Sequence, residues 1–111
     1  MKKIAIPVMD NKLSRHFGHC DKFYIYDIEN TKVIHENQAI PPSYEPGQLP
    51  KWLHRHLVTD VIAGSMGGRA VRHFNQHKIN VFIGTPGKSP SELVDNHLNV
   101  NLKLTGNYCG H

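Results

Sequence analysis

The reactive side chain this sequence carries in excess is histidine, nine of 111 residues, accompanied by two cysteines. Three of these side chains fall close together in Ser14-Arg15-His16-Phe17-Gly18-His19-Cys20. Imidazole and thiolate are the usual ligands for zinc, copper and iron–sulfur species, and Arg15 beside them offers a forked donor to an anion. The pattern is not a zinc finger, because no second ligand pair follows at finger spacing. The plainer alternative is a loop with ordinary His16 and His19, anchored by Phe17, with Cys20 buried as a small hydrophobe. A second soft and borderline pair, Cys109 and His111, ends the chain and could reach back to the first loop; the alternative is a tail with no role.

Two further loops carry glycine. Gly64-Ser65-Met66-Gly67-Gly68-Arg69 is neither a dinucleotide fingerprint nor a P-loop. It would let backbone N–H groups at a helix start approach an anion, with Arg69 adding a cation. Steric need at a tight strand-to-helix turn would explain one or two of the three glycines. Ala63-Gly64-Ser65-Met66-Gly67 nearly fits a nucleophile elbow, but the first glycine is replaced and Asp95 and His97 would have to complete a triad from one helix. Gly84-Thr85-Pro86-Gly87-Lys88-Ser89 ends like a phosphate-binding loop, yet the required first glycine falls at Phe82. Carboxylates are sparse: Asp10 and Asp21 flank the first loop, and Asp60 opens a strand at the other end of the sheet. With no paired acids, neither general acid–base catalysis nor a two-metal centre is expected. His73 and His77 have chelating spacing on a helix, although the wheel puts His77 near the apolar centre as a partly buried side chain; His54 and His56 do not face each other.

The elements that must position these groups follow from periodicity. Residues 4–9 read as a short β-branched strand, with Pro7 expected near its end or at an unpaired position. Residues 10–20 read as a loop, 23–28 and 33–38 as an antiparallel pair turning at 29–32, and 41–47 as an irregular connector. Helical spacing of apolar residues marks 48–57 and 67–77, and short apolar runs at 60–63 and 79–83 read as buried strands. Ser89-Pro90-Ser91-Glu92 opens a third helix to about residue 98, with Ser89 as N-cap and Glu92 closing a capping box. Residues 99–104 alternate and read as extended, and 105–111 as a flexible tail. The order implies an α/β domain over residues 1–104 with a mixed five-stranded sheet and helices on both faces. Ligands of such sheets bind beyond the carboxyl ends of the parallel strands. If the first strand is parallel to the later two, the three loops form one crevice.

Hydrophobic residues at 39% and charged residues at 20% exclude a disordered or collagen-like chain. At this length a globular chain buries roughly 65% of its unfolded surface. No apolar run reaches membrane-spanning length, and residues 1–9 are too short for a signal-peptide core. A cytoplasmic protein with reduced thiols is expected. The net charge of +4 is scattered, Lys2-Lys3 being the only adjacent Lys/Arg pair, so no nucleic-acid partner is expected and small anions suit the charge better.

At His16-Phe17-Gly18, with Phe23 in the next strand and Gly64-Ser65-Met66-Gly67-Gly68-Arg69-Ala70 further on, the chain resembles the nitrogenase iron–molybdenum cofactor biosynthesis family, which includes the NifX and NafY carriers. The resemblance extends over roughly residues 2–100. It implies a ribonuclease H-like fold without nuclease activity and non-enzymatic binding and transfer of an anionic metal–sulfur cluster. That cluster would be the iron–molybdenum cofactor or another molybdenum or iron sulfide species, held transiently between donor and acceptor proteins; one resembling group carries a molybdenum–copper–sulfide cluster. His16 matches the family's loop histidine, and the middle glycine loop with Arg69 corresponds to the facing wall. His19, Cys20, Cys109 and His111 lie outside the shared pattern and rest on local chemistry. Two other readings remain: a mononuclear zinc or copper protein using His16, His19 or Cys20 with the Cys109/His111 tail, and a metal-free interaction module.

Overall fold

The computed structural model describes residues 2–15, 17, 20–42, 47–84 and 88–101. The elements are β1 (Lys2–Met9), β2 (Lys12–Leu13), β3 (Lys22–Glu29), β4 (Lys32–Ala39), α1 (Gln48–Arg55), β5 (Asp60–Ala63), α2 (Gly68–Gln76), β6 (Asn80–Ile83) and α3 (Pro90–Asn101). The main path of the sheet is β4-β3-β1-β5-β6, with β2 paired to β1 off that path. β3 is antiparallel to both β1 and β4, whereas β1, β5 and β6 are mutually parallel neighbours. The sheet is therefore six-stranded and not five-stranded. The extra strand is the two residues Lys12 and Leu13, folded back on Met9 and Val8 by Asp10 and Asn11 at φ 53° and 65°. Asp and Asn tolerate this left-handed conformation, which a two-residue hairpin turn requires at both positions. Asn30 and Thr31, at φ 52° and 61°, make the same turn between β3 and β4.

Alternation along the strands gives two cores. Ala5, Phe23, Val61 and Val81 meet Leu53 of α1 and Phe74 of α2 on one face. Ile4, Ile6, Tyr26 and Ile62 meet Leu93 and Val94 of α3 on the other. Helices thus cover both faces. Pro7 stands inside β1 rather than at its end, but beyond the β1–β5 pairs Ile4–Asp60 and Ala5–Val61, where its carbonyl accepts from Ser14 N–H at 2.9 Å.

The helix ends are built locally. Glu92 N–H donates to Ser89 Oγ at 3.4 Å and the hydroxyl donates to Glu92 Oε1 at 3.3 Å, so Ser89 caps α3 as its position demands. That helix runs on to Asn101, so residues 99–101 are helical and not extended; a short period-2 alternation does not end a helix that is already propagating. α1 and α2 close with the same pair of bonds, Val58 N–H to Leu53 O with Leu57 N–H to His54 O, and Ile79 N–H to Phe74 O with Lys78 N–H to Asn75 O. This is the Schellman arrangement, made here by Leu57 and Lys78 at φ 64° and 61° in place of glycine. The expected tail, residues 105–111, lies outside the described residues.

Candidate functional site

Because β1, β5 and β6 are parallel, the segments leaving Met9, Ala63 and Ile83 emerge at one edge of the sheet, and α2 and α3 start there. The first segment is tied down at several points. Leu13 N–H donates to Lys88 O at 3.0 Å, which joins it to the third loop, and Asp21 N–H donates to Val8 O at 2.9 Å. Asp10 N–H donates to Asp21 Oδ2 at 3.3 Å, closing its two ends on each other. Ser65 Oγ donates to Arg15 O at 2.8 Å and joins it to the second loop. Phe17 then wedges edge-on between Phe23 and Phe74, with ring centroids 5.6 and 5.1 Å away. The expected anchoring role of Phe17 is met by this contact. His16, between the fixed Arg15 and Phe17 in sequence, lies outside the described residues, as do His19, Cys109 and His111.

The glycines of the second loop separate into two kinds. A β-carbon on Gly64 would stand 2.5 Å from Ser14 O and 3.3 Å from Arg15 Cα, so its bareness lets the two loops touch. Gly67 caps α2 with ordinary extended backbone, φ −71° and ψ 157°, and a β-carbon there would meet nothing within 4 Å. On Gly68 it would meet only Arg72 Nη1, at 3.9 Å. Neither φ nor internal packing requires glycine at these two positions. They leave the amino end of α2 bare and exposed, with no side-chain cap and no acid in the first turn. Ser65, Arg69 and Arg15 are exposed around it. A helix start of this kind attracts anions through its free N–H groups and the positive end of its dipole.

Cys20 is half-buried against the α1/α2 core. Burial, with the Asp21 carboxylate adding to it, pushes its thiol up to about 11, against the pull of a backbone hydrogen bond at Val8. In the metal-free protein the thiol form is therefore favoured. Among the described residues, no three of His, Cys, Asp and Glu gather around one point in a way that could hold an ion. The histidine pair expected on one helix face is arranged differently: His77 Nδ1–H donates to the backbone O of His73 at 3.0 Å. His77 is partly buried, as the wheel suggested. The elbow serine has no triad, since Ser65 stands at the carboxyl edge whereas His97 packs on Phe82 and lines a cleft at the opposite end with Lys2 and Asn30. That far end holds Asp60, 1% exposed, whose carboxylate accepts from Thr59 Oγ1 at 2.8 Å and Asn80 Nδ2 at 3.1 Å. Its position there is as the strand order implied.

No helix among the described residues is long and apolar enough to cross a membrane. An uncharacterized protein of Methanocaldococcus jannaschii, MJ0580, is 37% identical over 87 residues, 74% of this chain and 74% of that protein. The crystal structure of PH0822 matches with a TM-score of 0.81 and 30% identity, over 88% of this chain and 89% of that one. The apo form of the orange protein from Desulfovibrio gigas shares the fold, with a TM-score of 0.76 at 16% identity over 96% of this chain and 95% of that one. The family model for dinitrogenase iron-molybdenum cofactor matches residues 1–99. That match runs over nearly the whole chain, and the chain belongs to the dinitrogenase iron-molybdenum cofactor family.

Proposed function

We propose that residues 1–104 form a single non-enzymatic carrier domain, ribonuclease H-like in its strand order, that binds an anionic metal–sulfur cluster and hands it on during cofactor assembly in the cytoplasm. The observation that carries this reading is the bare start of α2 at Gly67 and Gly68, hydrogen-bonded through Ser65 to the loop that contains His16. The cargo is the iron–molybdenum cofactor or a related molybdenum or iron sulfide species. Its sulfides accept from the N–H groups of the second loop, Arg15 and Arg69 balance its charge, and His16 supplies one metal ligand. A cluster that brings its own sulfides needs few protein ligands, and few ligands suit a protein that must release its cargo to an acceptor. Donor and acceptor proteins are the partners in this reading; nucleic acid and membrane are not.

The test is metal and acid-labile sulfide analysis of anaerobically purified protein. Molybdenum or iron with sulfide supports the carrier reading, and stoichiometric zinc or copper without sulfide replaces it with a mononuclear site.

A further inference from the structure

α1 and α2 run side by side toward the end of the sheet opposite the cluster edge, and each brings a histidine to its last turn or cap, His54 and His77. The two rings lie edge-on with centroids 5.6 Å apart. His77 donates its Nδ1–H to His73 O at 3.0 Å, which fixes the ring and leaves the lone pair on Nε2. A backbone carbonyl in this role is the usual outer support of a metal-binding imidazole. We propose that His54 and His77 form a two-histidine site for a first-row divalent cation, completed by water and separate from the cluster edge.

The distance suits the chemistry. With metal–nitrogen bonds of about 2.0–2.1 Å, each ring centroid lies about 3.2 Å from the ion. Centroids 5.6 Å apart leave room for one ion bound to both rings once the exposed His54 ring turns a nitrogen toward it. Both helices present their carboxyl ends here, and the partial negative charge of those ends favours a cation. The amino ends of the same helices face the other edge, so one helix pair polarises the molecule for an anion at one end and a cation at the other. His54 is exposed and His77 partly exposed, so water can complete the coordination. Lys78 and Arg55 follow in sequence and oppose any cation alike; the imidazole donors favour Zn²⁺, Ni²⁺ and Cu²⁺ over hard ions.

The test uses the full chain and Zn²⁺ alone, read by imidazole nitrogen NMR and by calorimetry. The expected result is that the ring resonances of His54 and His77 shift together, saturating at one equivalent. His54→Gln and His77→Gln should each weaken this binding by more than the roughly tenfold loss that follows removal of an outer-shell hydrogen bond, and His16→Ala should leave it unchanged. The amide spectrum of each variant reports whether the fold is retained. Absence of the paired shift in the folded wild-type protein, or Zn²⁺ binding that survives both substitutions, would overturn the proposal.

Discussion

Ser65 Oγ donates to Arg15 O across 2.8 Å, and this bond joins the loop after β5 to the loop after β1 directly beside the open start of α2. The contact is possible because Gly64, the preceding residue, leaves no side chain between them. Glycines in one short stretch thus have different causes, and substitution separates them.

Gly64→Ala places a methyl group 2.5 Å from Ser14 O, a backbone atom in a buried residue. The expected cost is about 1–3 kcal/mol, the range for overpacking, read as a lower urea midpoint at unchanged slope. Gly67→Ala meets open space and Gly68→Ala only an ordinary contact with Arg72, so both should stay within about 1 kcal/mol of the parent. Their effect should appear in weaker thiomolybdate binding, because the new methyl groups would stand where the proposed cargo approaches the backbone.

Phe17→Ala removes the wedge between Phe23 and Phe74. The ring is only partly buried, so a loss of about 1–3 kcal/mol is expected, below the range for a fully buried phenylalanine. Ser65→Ala should cost at most about 1 kcal/mol, as for a single exposed hydrogen bond. Both should weaken cluster binding by releasing the loop, which parallel denaturation and binding titrations would measure.

Leu57 and Lys78 close their helices in a conformation that costs a side-chain-bearing residue free energy. Leu57 is 70% exposed, so replacing it forfeits little burial. Leu57→Gly and Lys78→Gly should each raise stability by about 0.5–1 kcal/mol, the left-handed penalty less the backbone entropy of glycine. Thermal denaturation reads the sign directly.

The Cys20 thiol is held up at about 11 in the folded chain, chiefly by burial. Between the ordinary thiol value and about 11 the unfolded chain loses this proton and the folded chain keeps it. Stability therefore falls as pH rises through that window, and Cys20→Ala should flatten the fall. Alkylation of Cys20 should be slow at neutral pH and accelerate toward pH 11. His97 acts with the opposite sense: burial lowers its imidazole, with Lys2 assisting and Asp60 opposing. The unfolded chain takes up this proton first as pH falls, so stability drops below about 6.5. His97→Gln should weaken that acid dependence.

Much of the scaffold was legible in the residues. Two buried apolar runs between amphipathic helices imply parallel strands, and Ser89 with Glu92 marks the start of α3. From these, on the condition that β1 runs parallel to them, the three loops could be expected at one edge. The β2 hairpin was not legible, since Lys12 and Leu13 are too few to show a period and Asp10-Asn11 lacks the glycine that flags such a turn. The Schellman ends escaped for the same reason, with Leu57 and Lys78 standing where glycine is usual. Within the site, sequence could name Gly64, Gly67 and Gly68 but not tell steric necessity from open space, because that depends on Ser14 and Arg15 arriving from a distant segment. The pairing of His54 with His77 depends likewise on how α1 packs against α2.

The most direct test of the carrier reading is anaerobic titration of tetrathiomolybdate into the wild-type protein and His16→Ala, followed by visible absorption. A bound charge-transfer spectrum is expected for the wild type and an affinity loss of about tenfold or more in the variant, as for loss of a metal-site contact. No binding by the wild type, or equal binding by both proteins, would contradict the carrier reading.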